Sequence, residues 1–92
     1  LRIGDYCSIS AGVQVYTHDS VKWAVSGGIT PFEHESVCIG NRCYLGPNVI
    51  VAKGIEIGDG CVIGANSFVN RSIPRGMKAW GTPARIIGEV EV

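Results

Sequence analysis

Residues 39–74 divide without remainder into the hexapeptides IGNRCY, LGPNVI, VAKGIE, IGDGCV, IGANSF and VNRSIP. Each opens on an aliphatic residue: Ile39, Leu45, Val51, Ile57, Ile63 and Val69. The fifth place of each holds a small or branched side chain: Cys43, Val49, Ile55, Cys61, Ser67 and Ile73. The same beat opens the chain at Ile3, Ile9 and Val15, with Cys7 and Val13 in the fifth places. A helix repeats near 3.6 residues and a lone strand at 2, so neither explains a period of six. A hexapeptide period predicts an all-β parallel β-helix, in which short strands and tight turns coil so that like residues stack inside.

Three hexapeptides make a triangular coil of about 18 residues, with coils about 4.8 Å apart as paired strands are. On this reading residues 39–56 form one coil and 57–74 the next. Ile39 then lies against Ile57, Leu45 against Ile63, and Cys43 against Cys61. The first coil runs from Ile3 through Ile9 to Val15, and then the pattern fails, since Gly27 and Glu33 stand where aliphatics are due. Phase resumes at Val37. Residues 19–36 therefore read as a loop excursion of about one coil's length, with Gly27, Gly28 and Pro31 favouring irregular backbone. Excising it brings Cys7 into the stack of Cys43 and Cys61. The excursion also holds Trp23, Ile29 and Phe32, which need a partner subunit or a pocket to cover them.

The 92 residues read as a single domain, 1–92, with a closing segment over 75–92 after the repeat ends at Ile73-Pro74. Repeat phase is already established at Leu1, which predicts that an N-terminal part of the natural protein precedes it. Formal charge is zero, which argues against nucleic acid or an anionic membrane as partner. No apolar run approaches the roughly 20 residues of a membrane span, and a cytoplasmic setting is expected. The four cysteines form no CxxC pair. Cys7, Cys43 and Cys61 read as small core residues and Cys38 as outward-facing, with neither a disulfide nor a metal site implied.

The repeats, together with Gly64-Ala65-Asn66-Ser67 and the closing Trp80-Gly81-Thr82-Pro83-Ala84-Arg85, resemble the hexapeptide-repeat acyltransferases, within them the sugar and xenobiotic acetyltransferase branch. The resemblance covers nearly the whole chain. It implies a left-handed parallel β-helix assembled as a homotrimer. Acetyl-CoA would serve as co-substrate in a groove between subunits. A small-molecule acceptor, a sugar or nucleotide sugar, would receive the acetyl group on a hydroxyl or amino group. No metal is implied.

Carried over position by position, the resemblance makes His18, where the first coil opens into the excursion, the general base. An imidazole is suited to that task at neutral pH. Ala65 matches a turn position whose backbone meets the pantetheine arm. Asn70 and Arg71 match a Thr-Lys pair at the cofactor phosphates, and Arg85 matches a basic residue reaching the same region. Lys78 is a further possible contact, and Tyr44 matches an aromatic position near the reacting groups. Pro47 and Gly88 depart from the pattern, standing where a serine and a second basic residue are common. Asp19, adjacent to His18, reads either as a carboxylate that orients the imidazole or as a solvated loop carboxylate, since neighbours in extended chain point apart. His34, between Glu33 and Glu35, ranks behind His18 as a base.

Two other functions fit hexapeptide coils. A γ-type carbonic anhydrase needs three histidines on one zinc, whereas this chain has two histidines. A non-catalytic trimeric scaffold needs neither the aromatic, histidine-bearing excursion nor basic residues at the cofactor positions.

Overall fold

The computed structural model describes residues 1–91. Nine two-residue strands make three rungs of a triangular prism: β1 (Arg2–Ile3), β2 (Ser8–Ile9) and β3 (Gln14–Val15); β6 (Cys38–Ile39), β7 (Tyr44–Leu45) and β8 (Ile50–Val51); β9 (Glu56–Ile57), β10 (Val62–Ile63) and β11 (Phe68–Val69). Between β3 and β6 lie β4 (His18–Asp19), α1 (Val21–Val25) and β5 (Glu33–His34). The chain closes with β12 (Met77–Gly81) and β13 (Ala84–Glu89). Each prism face is a parallel sheet: β1-β6-β9, β2-β7-β10-β12 and β3-β8-β11. We call these the first, second and third faces.

The inward residues meet in the expected register. Ile39 pairs with Ile3 and Ile57, Leu45 with Ile9 and Ile63, and Val51 with Val15 and Val69. Leu45, Val51, Ile63 and Val69 are wholly buried. At the start of the stack Ile3 and Ile9 are 44% and 40% exposed, since they have a rung on one side alone. The Cys7, Cys43 and Cys61 thiols donate to the carbonyls of Gly40, Gly58 and Pro74, at 3.0, 3.1 and 3.0 Å, each crossing to the next rung. Burial raises the Cys43 thiol above its ordinary pKa. All four cysteines are free thiols.

The glycines after the inward aliphatics are required by how closely the rungs approach. A Cβ on Gly46 would lie 2.7 Å from the Ala65 nitrogen, and one on Gly40 2.7 Å from the Asp59 nitrogen. The residue after Gly40 or Gly58 also ties rungs together. The Asn41 amide donates to Asp59 Oδ1 at 2.7 Å, and the Asp5 amide to Asn41 Oδ1 at 2.7 Å.

Two features differ from the sequence reading. The coil that starts at Ile57 is two residues short, because Ile73, not residue 75, bridges to Ile57. Asn70-Arg71-Ser72 turns the corner that Ala52 to Glu56 turns one rung below. Ile73 is thus an inward strand residue opening a partial rung, which continues to Ala79 opposite Ile63. The excursion is also more regular than its glycines and proline suggest. β4 and β5 pair antiparallel, His18 opposite His34 and Asp19 opposite Glu33, with α1 between them. Among the described residues no helix is long and apolar enough to cross a membrane.

Leu45→Ala should lower unfolding free energy by about 2–5 kcal/mol in urea titration, the range for emptying a packed core site. Ile9→Ala, on the same face but partly exposed, should lose less than half as much.

Candidate functional site

The third face and its two edges carry the residues singled out by sequence. Chain order fixes the edges. Ala65 lies at the turn between the second and third faces; Asn70 and Arg71 lie at the corner between the third and first faces, two rungs from His18. Arg71 follows Val69 by two residues as Lys53 follows Val51 and Thr17 follows Val15. The paired register of those valines therefore lines up Thr17-His18, Lys53 and Arg71 along one edge.

At the C-terminal end of the third face, a cleft of about 440 Å³ is lined by Asn70, Arg71 and Ser72 together with Pro83 and Arg85. It brings the adjacent Asn70 and Arg71 together with Arg85 from the closing hairpin, two of the three guanidinium-bearing. None of the carboxylates among the described residues pairs with Arg71 or Arg85. Ala65 is not in this cleft. It is exposed in the adjacent turn, where the Thr82 hydroxyl donates to the Asn66 carbonyl at 3.2 Å, next to Pro83. Lys78 and Tyr44 both point outward on the second face, each paired with Val62, and are therefore remote from the His18 edge of the same chain.

His18 is exposed and sits among rings. Its imidazole stacks with His34 at 5.6 Å between centroids and with Phe32 at 6.2 Å, while Trp23 meets Phe32 edge-on at 5.7 Å. The pattern follows from the hairpin. Residues opposite or diagonal across an antiparallel pair share a face, so His34 on β5 and Phe32, two residues before it, both flank His18. His34, expected on a merely charged returning limb, thus joins the His18 cluster.

Asp19 does not serve the imidazole. Its carboxylate accepts from Lys53 Nζ at 2.9 Å and from the Val21 amide at 3.1 Å. The Lys53 hydrogen bond, followed by that of Val21, holds its pKa below the ordinary carboxylate value. The same bond to Asp19 raises Lys53. Lys53 also lies 3.9 Å from Glu35, and Lys22 lies 3.1 Å from Glu33. Sequence reasoning missed Lys53, although its place 18 residues before Arg71 was a usable signal. It also missed Phe68 and Ile50, half-buried on the outer surface of the third face. Among the described residues no three His, Cys, Asp or Glu side chains converge as metal ligands.

The bacterial transferase hexapeptide signature of six repeats matches residues 39–71. The chain is also 34% identical over 100 residues to the galactoside O-acetyltransferase of Escherichia coli K12, spanning 98% of this chain and 48% of that protein. It is a hexapeptide-repeat chain. Two solved structures superpose on it. A maltose O-acetyltransferase from Clostridium difficile 630 does so with a TM-score of 0.80 and 35% identity, covering 94% of this chain and 46% of that one. A hexapeptide-repeat acetyltransferase from Vibrio cholerae O1 biovar eltor, solved with acetyl coenzyme A, gives 0.87 and 31%, covering 98% and 49%. The hexapeptide-repeat chain spans about half the length of the curated relatives it matches. With these neighbours the fold is a left-handed parallel β-helix.

Because the carboxylate form of Asp19 is favoured in the fold, its contribution to hairpin stability is present above the ordinary aspartate pKa of 3.8 and is lost as pH falls through the lowered value. An NMR titration should show the Val21 amide shift following Asp19 with a midpoint below 3.8. In Lys53→Met that midpoint should rise.

Proposed function

We propose that the protein is an acetyltransferase that moves an acetyl group from acetyl-CoA to a hydroxyl or amino group of a sugar or nucleotide sugar, as a homotrimer in the cytoplasm. The observation that carries the reading is the third-face edge. It runs from the exposed imidazole of His18 to the Arg71–Arg85 cleft, in a chain whose relatives are named O-acetyltransferases.

The residues fit the groups to be held. Two arginines lining one cleft suit the phosphates of coenzyme A, which Arg binds through paired, charge-assisted hydrogen bonds. Asn70 adds an amide at the same place. Ala65, small and at a turn, lets an extended thiol arm run close to the backbone. Along the edge, the arm leads from the cleft toward His18. Two rungs span only about 10 Å, so an extended arm covers that distance.

At the other end His18 acts as general base. It takes the proton from the acceptor O–H or N–H as that atom attacks the thioester carbon, and returns it to the departing sulfur. The nucleophile is the acceptor itself, so no enzyme-bound acyl group is required. Phe32 and Trp23 offer ring surface beside His18 on which the apolar face of a sugar can lie. These exposed rings also favour a subunit interface at the excursion, in keeping with a trimer.

His18→Ala should lower kcat about 10²- to 10⁴-fold, the usual contribution of a positioned acid–base group, with little change in acetyl-CoA affinity. An Arg71→Ala, Arg85→Ala double variant should do the reverse, abolishing saturable acetyl-CoA binding in calorimetry. Absence of acetyl-CoA binding by a trimeric parent would favour the scaffold reading.

A further inference from the structure

We propose that Lys53 is a positioning residue for His18, acting as the single cation that fastens both limbs of the excursion to the wall of the prism. The inference rests on His18 being the base. Lys53 belongs to the corner between the third and first faces, and it is largely covered, its side chain 21% exposed. Its ammonium lies 2.9 Å from Asp19 on the outgoing limb and 3.9 Å from Glu35 on the returning limb. Asp19 follows His18, and Glu35 follows His34. The two limbs close on each other at the same point, where the Glu35 amide donates to the Thr17 carbonyl at 2.9 Å. The Gly54 amide, next in sequence to Lys53, reaches the Glu35 carbonyl at 3.4 Å. Lys53 with its neighbour Gly54 thus grips both strands of the hairpin one residue beyond the stacked imidazoles.

The cation within the excursion is placed differently. Lys22 pairs with Glu33 at 3.1 Å, but it is 64% exposed and both partners belong to the excursion itself. That pair cannot fix the hairpin relative to the coils. The charged groups around the imidazoles are therefore Asp19 and Glu35, which share the one ammonium of Lys53, Glu33, paired with Lys22, and the two histidines themselves.

Removing the Lys53 charge takes away the fastening of the hairpin. The ring then no longer keeps a fixed distance from the third face, and misplacement by about 1 Å is enough to slow a positioned reaction as much as 10²-fold. The buried core lies inside the prism and includes none of these charged groups, so the fold itself depends little on the pair.

The test follows hydrogen exchange of the Glu35 amide by NMR, alongside acetyl-CoA turnover with maltose and methyl β-galactoside as probe acceptors. Lys53→Met should speed exchange of that amide, whose bond to Thr17 closes the two limbs, at least about tenfold. It should also lower kcat at least about tenfold while leaving the KM for acetyl-CoA unchanged. Lys53→Arg, which keeps the charge, and Lys22→Met should both behave as the parent does. Asp19→Asn cuts the same fastening from the loop side and keeps the idea falsifiable if Lys53→Met does not fold. It should lower turnover and speed the same exchange. A Glu35 amide that ignores Lys53→Met, or Lys22→Met matching Lys53→Met, overturns the proposal. No transfer by the parent overturns instead the acetyltransferase reading with these acceptors, while the exchange measurement still decides whether Lys53 fastens the hairpin.

Discussion

Everything in this molecule depends on how closely one rung lies on the next. Paired strands leave about 4.8 Å between rungs. At the turns that distance admits backbone against backbone and nothing more, which is why Gly40 and Gly46 have no room for a Cβ. The same closeness lets each buried cysteine thiol reach a carbonyl in the neighbouring rung, and lets Asn41 and Asp59 accept from amides one rung away. The interior needs no long-range folding code. Each aliphatic side chain meets its equivalent above and below, and burial becomes complete wherever both neighbours exist.

The interior was therefore the legible part of the sequence. Ile39, Leu45 and Val51 repeat because stacking rewards identity at a fixed interval, and an interval is visible in a string of letters. The interruption was legible for the same reason: an 18-residue gap returns the chain to phase, so Ile3 still meets Ile39. Where the interval changes, reading by phase fails. Ile73 looks like a fifth-place residue by counting, yet it opens the next rung, because Asn70-Arg71-Ser72 cuts the corner by two residues. Nothing periodic announces such a shortcut. The helix Val21–Val25 was hidden too, since five residues are too few to display a helical period.

The candidate site was legible in its members but not in their relations. Asn70, Arg71 and Arg85 are conspicuous as residue types, but their meeting depends on β13 folding back beside the shortened corner, a tertiary event. His34 was undervalued because its neighbours Glu33 and Glu35 suggested an exposed charged strip. In the hairpin those carboxylates are drawn off by Lys22 and Lys53, leaving His34 to stack with His18. Asp19 shows the converse. Adjacency in sequence invites a carboxylate–imidazole pair, while alternation along an extended strand turns the two side chains to opposite sides.

The alignment of Thr17-His18, Lys53 and Arg71 along one edge has a geometric consequence. Successive members of that column are separated by whole rungs, so the span between them can take only discrete values, like teeth on a rack. A coil gained or lost between β3 and β11 would alter the reach from His18 to Arg71 by one tooth while leaving every local contact intact. Length along the prism is thus counted rather than tuned. The excursion, held by its two ends, can change size and shape without disturbing the count.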